Sequence, residues 1–296
     1  MQKKPLVSII ITTKNEESNI ENCLKSIKYQ NYKNIEIILV DNFSKDKTVK
    51  IAKKFISKIY SKGNERSDQR NYGIKKSKGE YILYLDADMI ITDGLIESCV
   101  EFSLLKKING IFIEEKILGK SFLNKIRNFE RQCYNGTFID ALRFFRKKCL
   151  KKIGYFDNSI NGFEDWDFSI RISDKYKSEI FPKSKLKNSK WKLKKFVEEK
   201  GIKFSNLNQC IIHNETEINL TKLINKKSYY SIALNNYKKK YSKRKHILKF
   251  QLSFYNRLFK IFFTKKNFFY TLKNPVFFIS SFFIKIIIGL KVLLKK

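Results

Sequence analysis

The chain has 296 residues, 43% of them hydrophobic and 15% aromatic, which excludes an intrinsically disordered protein and fits one large α/β domain with an appendage. Its formal net charge of +34 requires an anionic partner, which could be nucleic acid, nucleotide phosphates or a membrane surface. Residues 181–296 hold 28 Lys and Arg against 4 Asp and Glu, so +24 of the charge lies in this C-terminal part.

The N-terminus and the cysteines indicate a cytosolic protein. Residues 1–5 run directly into a strand-like stretch and lack the charged-then-apolar pattern of a cleavable signal, so we expect no export. Five cysteines, an odd number without the spacing of metal sites or disulfide frameworks, are typical of reduced thiols.

The first part of the chain alternates strand and helix patterns. Residues 7–11 form an apolar, β-branched run, and Ser18 and Glu21 then resemble a capping box that opens a helix. The next predicted elements are a strand at 35–40, a helix capped by Asp46, a short strand, a helix around 68–76 and a strand at 81–85. Such alternation predicts a mostly parallel sheet covered by helices on both faces.

Acidic side chains follow the third long strand, where open sheets of this kind bind their ligands. In an extended chain Asp86 and Asp88 share a face, so both carboxylates could hold one divalent cation, Mg²⁺ or Mn²⁺. That cation would bridge the two phosphates of a nucleotide sugar and offset the charge on the leaving diphosphate. A bare Asp-x-Asp more often marks surface acids, but its position after an apolar strand favours a metal site.

The ends of the first two strands suggest a nucleotide site. Asp41 could accept the imide N–H of a uracil, although capping of the following turn explains this residue equally well. Thr13 and the turn that leads to Glu16 would lie under the nucleoside. Arg70 stands near a helix N-terminus suited to phosphate, whereas an arginine on a helix is usually only solvated.

A second acidic cluster, Glu164-Asp165-Trp166-Asp167, follows Gly162 and opens a predicted helix. Acidic residues at a helix start ordinarily complement the helix dipole. The functional alternative is a general base, since a carboxylate that takes the proton of an attacking sugar hydroxyl accelerates transfer by about 10²–10⁴-fold.

Together these motifs resemble the family 2 glycosyltransferases of the GT-A fold. The matching segments are residues 7–16, 40–46, 69–73, 79–88 and 162–171, within a region of about 5–215. The resemblance implies an inverting, single-displacement transfer from a nucleotide diphosphate sugar. It also implies a GT-A αβα sandwich with a mostly parallel central sheet.

The resemblance further implies roles for individual residues. Asp41 would contact the nucleotide base, Asp86 and Asp88 the diphosphate and metal, and Asp165 would be the base. A strand-like stretch at 209–212 leads to His213, which the resemblance implies as a further metal ligand. Because the family often reads Gly-Glu-Asp, whereas Phe163 intervenes here, Asp165 and Glu164 both remain candidates for the base.

The C-terminal part differs in character from the rest. The lysine-rich stretch 183–200 matches no family motif, and we predict a catalytic domain at 1–240 and a membrane-associating region at 241–296. In residues 247–263 apolar side chains alternate with basic ones, which is typical of a helix in an anionic membrane interface.

The last apolar run, 276–294, is nearly long enough to span a bilayer. Lys285 would then lie close to the bilayer centre at a cost of about 2.5–3.5 kcal/mol, which favours in-plane or hairpin-like burial. The alternative is that the C-terminal aromatic residues simply pack on the catalytic core.

The sequence therefore predicts a glycosyltransferase bound peripherally or monotopically at the cytoplasmic face of the cell membrane. Its acceptor would be lipid-linked or a growing glycan. A nucleotidyltransferase would have a Gly- and Arg-rich loop after the first strand, and residues 12–19 contain neither. A basic nucleic-acid binder fits the charge and the interleaved aromatics, but no nucleic-acid module is recognisable and we expect no such partner.

Overall fold

A computed structural model of the chain describes residues 4–184, 186, 193–202, 204–216 and 218–294. Within these ranges the strands are β1 (Val7–Thr13), β2 (Ile35–Asp41), β3 (Ile59–Ser61), β4 (Tyr81–Asp86), β5 (Met89–Ile91), β6 (Gly110–Phe112), β7 (Glu115–Leu118), β8 (Phe144–Arg146), β9 (Ser178–Ile180) and β10 (Ile211–Asn214). The helices are α1 (Ile20–Lys28), α2 (Thr48–Ala52), α3 (Arg66–Lys76), α4 (Leu95–Leu105), α5 (Phe122–Tyr134), α6 (Leu150–Ile153), α7 (Glu164–Lys175), α8 (Leu193–Glu199), α9 (Leu220–Ser231), α10 (Leu234–Lys240), α11 (Lys245–Leu252), α12 (Phe268–Leu272) and α13 (Pro275–Leu294).

The central sheet has seven strands in the order β3-β2-β1-β4-β8-β6-β9. Strands β1 to β4 pair in parallel, β8 runs antiparallel between β4 and β6, and β6 pairs in parallel with β9. The predicted mostly parallel sheet is thus confirmed. Its register places Thr13 beside Asp41 and Thr12 beside Asp86, at the carboxyl edge.

Helices cover both faces of this sheet because its strands are apolar on both sides. Every residue of β1 is buried. Helix α1 buries the predicted stripe that includes Ile20, Leu24 and Ile27. On the opposite face α3 approaches so closely that a Cβ at Gly73 would come within 2.5 Å of Ile10 Cγ2.

Of the two predicted helix caps, the one at Ser18 is absent and the one at Asp46 is present. Helix α1 begins at Ile20, and no side chain caps its first turn, so the capping box at Ser18 was wrong. The chain turns earlier, because the Glu16 carbonyl accepts hydrogen bonds from the backbone N–H groups of Asn19 and Ile20. Asp46 does accept the Thr48 backbone N–H at 3.0 Å, although α2 is only five residues long.

A second sheet, in the order β5-β10-β7, brings a late part of the chain to the same edge. Strand β10 starts two residues later than predicted, because Cys210 bonds to Thr92 and the ladder with β5 begins at Ile211. His213 therefore lies within the strand, paired with Met89 and next to Asp88.

The C-terminal region packs against α5 and α9. The ring of Phe129 in α5 stacks on Phe262 at 5.5 Å and on Tyr270 at 5.4 Å. The Lys285 ammonium lies 3.0 Å from Glu130 Oε1, so this lysine faces α5 rather than a bilayer. Part of the expected alternative, packing of C-terminal aromatics on the core, is therefore observed.

The opposite face of α13 carries an exposed apolar row. It consists of Val276, Ile279, Phe283, Ile287 and Leu290, which we call the α13 stripe. Within the described ranges, no helix is both long enough and apolar enough to cross a membrane.

Side chains also pack across the predicted domain boundary near 240, since Tyr237, Tyr241 and Ile247 share one buried cluster with Phe163. The boundary itself stays a prediction. Of the lysine-rich stretch, residues 185 and 187–192 lie outside the described residues, and α8 follows them. All five cysteines are buried and unpaired.

Candidate active site

The predicted site residues converge at the carboxyl edge of the central sheet. The Thr12 hydroxyl donates to Asp86 Oδ1 at 3.0 Å, and the Gln69 side chain donates to the carbonyls of Thr13 and Val40 at 3.0 and 2.7 Å. The ends of β1, β2 and β4 are thus held together by polar contacts. Thr13 Oγ1 is buried without a hydrogen-bond partner in the described structure, which leaves it for a ligand.

Asp41 is buried at the end of β2 and caps the turn that follows. Its carboxylate accepts the Ser44 backbone N–H at 2.8 Å and the Ser44 hydroxyl. This is the turn-capping contact that the sequence offered as an alternative, and the role of Asp41 at a nucleotide base stays a prediction.

Arg70 occupies the centre of the site and is fully buried. Its Nη1 lies 2.8 Å from Asp165 Oδ1 and its Nη2 lies 3.0 Å from Asp86 Oδ1. The guanidinium also lies over the Tyr84 ring at 4.8 Å. One arginine therefore fixes two carboxylates from separate segments, which excludes the reading of Arg70 as a solvated surface residue.

Further arginines surround Asp86. Although burial disfavours its ionised form, Arg70, Arg143 and Arg66 hold the pKa of Asp86 well below its usual range. Behind it, Arg143 Nε lies 2.8 Å from Glu115 Oε1. Burial opposes ionisation of Glu115 too, but Arg131 and Arg143 lower its pKa to about 2.

Sequence reasoning missed this second layer of buried charge. One signal was available, because Asp140 and Arg143 interrupt the otherwise apolar run 139–145, and buried charges need partners. Arg131 supplies one of these partners at 2.7 Å from Asp140 Oδ1. The network fixes the floor of the site below Asp86.

The two candidate bases differ in access to the cleft. The Asp165 side chain is 22% exposed, whereas that of Glu164 is 3% exposed. Asp165 Oδ1 accepts from Arg70 and, at 3.0 Å, from the Tyr84 hydroxyl, while Glu164 turns back to accept the Gly162 backbone N–H. Burial and the neighbouring Asp165 carboxylate raise the pKa of Glu164. Access therefore favours Asp165.

Helix α9 covers the loop that precedes these carboxylates. Gly162 has a φ of +87°, and a Cβ there would come within 2.3 Å of the Tyr230 ring, so only glycine fits. The Arg66 guanidinium donates to the Tyr230 hydroxyl at 2.7 Å. Through Tyr230, α9 bridges from α3 to the start of α7.

Of the three predicted metal ligands, Asp88 and His213 are in contact, whereas Asp86 faces a different set of residues. Strand β4 ends at Asp86 and the chain turns at Ala87 and Asp88, so the two carboxylates do not share one face of an extended strand as expected. Asp86 faces arginines, whereas Asp88 Oδ2 lies 2.9 Å from His213 Nε2.

The Asp88–His213 pair retains binding capacity. Asp88 Oδ1 is buried without a hydrogen-bond partner in the described structure. Burial opposes the charge on His213, yet the Asp88 carboxylate raises its pKa. Burial, with Asp88 and Asp86 nearby, raises the pKa of Glu16 to about 7. Among the residues described, no three His, Cys, Asp or Glu side chains form a metal site on their own.

Comparisons with known proteins identify the chain's relatives. Residues 8–154 match the family model described as Glycosyl transferase family 2. An uncharacterized glycosyltransferase of Rickettsia typhi is 31% identical over 195 residues, or 58% of this chain and 61% of that protein. The minor teichoic acid biosynthesis protein GgaB of Bacillus subtilis is 28% identical over 60% of this chain and 22% of its own length. The chain thus aligns with less than two thirds of either relative.

Among solved structures, Staphylococcus aureus TarS 1–349 in complex with UDP-GlcNAc superposes with a TM-score of 0.51. The match has 17% identity and covers 78% of this chain and 67% of that one, so it shows a common GT-A-like fold. Sequence motifs, family model and fold agree, and they identify residues 8–154, about half of the chain, as a glycosyltransferase family 2 region.

Proposed function

We propose that the chain transfers a sugar from a nucleotide diphosphate sugar to an acceptor hydroxyl, with inversion at the anomeric carbon. The observation that carries this proposal is the bridge made by Arg70. Its guanidinium binds Asp86 at the end of β4 and Asp165 at the start of α7, at the edge where open sheets bind ligands. The Asp86 carboxylate is then available to the donor side of the cleft and the Asp165 carboxylate to the acceptor side.

In the proposed reaction the acceptor oxygen attacks the anomeric carbon from the face opposite the diphosphate. The bond from that carbon to the diphosphate oxygen breaks, and its electron pair leaves with the nucleoside diphosphate. Asp165 takes the hydroxyl proton, while Arg70 and the Tyr84 hydroxyl orient its carboxylate. Glu164 is held away from the acceptor by its bond to the Gly162 N–H.

A divalent cation, Mg²⁺ or Mn²⁺, fits the donor side. Asp88 and His213 would hold it, with Asp86 nearby, and the unpartnered Asp88 Oδ1 is the atom that supports this assignment. Mg²⁺ commonly binds through one or two carboxylates together with substrate phosphates. When bound, such an ion offsets the charge that develops on the leaving diphosphate.

The first experiment is a donor screen by thermal unfolding with Mn²⁺ or Mg²⁺. We expect one class of nucleoside diphosphate sugar to raise the melting temperature. A ligand that binds only the native state adds about 2.7 kcal/mol of stability when its free concentration is 100 times its Kd. UDP sugars are the first to test, since the TarS structure contains UDP-GlcNAc. The proposal fails if no nucleotide sugar raises the melting temperature of the chain and the chain hydrolyses none of them.

For the acceptor, we propose a lipid-linked sugar or a growing glycan at the cytoplasmic face of the cell membrane. The α13 stripe supports this, since its five large apolar side chains are each at least 40% exposed. Residues 244–296 contain 12 Lys and Arg and no Asp or Glu, so the same region complements anionic headgroups. The occupant that fits both features is the surface of an anionic membrane, with α13 lying in its plane.

Vesicle binding tests the membrane part. We expect the full chain to co-sediment with anionic vesicles, and the double variant Ile279→Ser/Phe283→Ser to bind at least tenfold more weakly, because burying each large apolar side chain contributes about 1.5–3 kcal/mol. Deleting residues 241–296 is a poorer test, since it removes buried core side chains such as Phe262.

The matched control is Leu105→Ser, which removes a side chain that is 78% exposed at the end of α4. This variant should bind vesicles like the parent chain. Equal binding by the parent and the double variant, or no binding by the parent at low salt, would overturn the membrane assignment.

A further inference from the structure

Basic side chains from three parts of the chain lie near one another, since Arg257, Arg127 and Lys226 all repel the charge on Lys227. Arg257 also lies over Trp166, next to the proposed base. Arg127 comes from α5, Lys226 and Lys227 from α9, and Arg257 from the short π-helix Asn256–Lys260 that precedes α12. We call this group the basic recess. The nearest carboxylates are already engaged, since Glu215 pairs with Arg127 at 2.7 Å and Glu130 pairs with Lys285 at 3.0 Å.

Two members of the basic recess have no acidic partner among the described residues. The Arg257 guanidinium lies over the rings of Tyr134 and Trp166 at 5.1 and 5.9 Å, and its Nη1 is buried without a hydrogen-bond acceptor. The Lys227 side chain has no ion pair or hydrogen bond in the described structure. A buried donor without an acceptor is costly, so this arrangement suits a bound anion.

The electrostatics of Lys227 agree with that conclusion. Its side chain is accessible to solvent, so a ligand can reach it. Yet nearby protein atoms displace water from its ammonium group, and Arg257, Arg127 and Lys226 repel its charge, which lowers its pKa to about 7. An anion with more than one negative charge would relieve this repulsion.

The position of the basic recess indicates which substrate supplies the anion. Trp166, under Arg257, directly follows the proposed base Asp165. Tyr230, three residues after Lys227, covers Gly162 at the start of the same loop. On the other side, Lys285 of α13 donates to the Arg257 carbonyl at 3.0 Å. The recess thus lies between the acceptor side of the cleft and the proposed membrane-facing helix.

We propose that the basic recess binds a phosphate group of the acceptor, with Arg257 and Lys227 as the principal contacts. The inference rests on the proposed glycosyltransferase function and makes the acceptor a phosphate-bearing lipid. Arginine suits phosphate because its planar guanidinium donates two parallel hydrogen bonds, and lysine adds a mobile point charge. The donor diphosphate offers the same chemistry, so the test has to separate the two sources.

The test compares Lys227→Gln and Arg257→Gln in the full chain, with Lys239→Gln as the charge-matched control. Lys239 is exposed on α10, and its side chain has no ion pair or hydrogen bond among the described residues. Two probes are titrated separately: farnesyl phosphate in neutral detergent micelles, with farnesol as the uncharged comparison, and UDP or GDP with Mn²⁺. We expect both variants to bind farnesyl phosphate about tenfold or more weakly, because hydrogen bonds to charged groups are lost.

The expected pattern also includes nucleoside diphosphate binding within twofold of the parent chain and no effect of Lys239→Gln on either probe. If the variants weaken nucleoside diphosphate binding instead, the recess serves the donor and the proposal is overturned. It is equally overturned if the parent chain binds farnesyl phosphate no better than farnesol. Because Arg257 packs on two rings, Lys227→Gln at the accessible position keeps the test valid should Arg257→Gln unfold.

Failure of the proposed function would look different. A parent chain that binds farnesyl phosphate through Lys227, yet neither binds nor hydrolyses any nucleotide sugar, would refute the glycosyltransferase proposal and leave a phosphate site. If the chain hydrolyses a nucleotide sugar but does not bind the lipid phosphate, only the proposed role of the basic recess is refuted.

Discussion

Asp165→Asn is expected to lower turnover by about 10²-fold or more, while the affinity for the donor stays close to that of the parent chain. A general base acts on the acceptor in the transition state, so its loss lowers kcat far more than it changes donor binding. The asparagine side chain can still accept hydrogen bonds from Arg70 and the Tyr84 hydroxyl, so the cleft should keep its geometry. Steady-state kinetics and a separate donor titration measure the two effects.

Glu164→Gln is the matched control for this prediction, because it makes the same acid-to-amide change one residue away. The glutamine side chain can still accept the Gly162 backbone N–H, and we expect turnover to remain within about tenfold of the parent. Near-normal turnover in Asp165→Asn with a large loss in Glu164→Gln would show that the base had been assigned one residue too late.

Asp88→Ala should abolish the metal dependence of donor binding and leave the fold intact. The carboxylate has one oxygen 2.9 Å from His213 and the other without a partner, so its removal breaks few structural contacts. It does remove a charge that a cation bridging to the diphosphate requires. Calorimetric titration with the nucleoside diphosphate from the donor screen, with and without Mn²⁺, measures the loss.

Asp174→Ala serves as the comparison, because Asp174 forms an ion pair with Arg244 at the surface and its side chain is 37% exposed. Exposed pairs of this kind contribute little to stability, so donor binding should match that of the parent. An unchanged metal dependence in Asp88→Ala would contradict the assignment of Asp88 and direct attention to Asp86 and Glu16.

The sequence predicted the long parallel strands and their polar ends, because these features are local. It did not predict β5 to β9, which are three or four residues long. Continuous apolar runs identified β1, β2 and β4, and the register then brought Thr13, Asp41 and Asp86 to one edge. The helix through Phe168 and the strand before His213 were also predicted, the latter two residues early. The periodicity of apolar residues is sufficient to predict such elements, because each element depends on a few neighbouring residues.

Contacts between distant residues could not be predicted in the same way. Arg70 and Asp165 are 95 residues apart, and Lys285 and Arg257 are 28 apart. Local pattern indicates that a charge interrupts an apolar run but does not indicate which partner the fold brings to it. For this reason Arg70 was expected at a phosphate, and the ion pairs of Arg143 with Glu115 and of Lys285 with Glu130 were missed.

The α13 stripe also affects how the purified chain behaves away from lipid. Two copies can bury these apolar side chains against each other, and such self-association rises with protein concentration. The apparent molecular mass would then increase in concentrated samples and fall when detergent covers the stripe. An oligomer in detergent-free buffer that dissociates in detergent would therefore be explained by contact between two exposed α13 stripes.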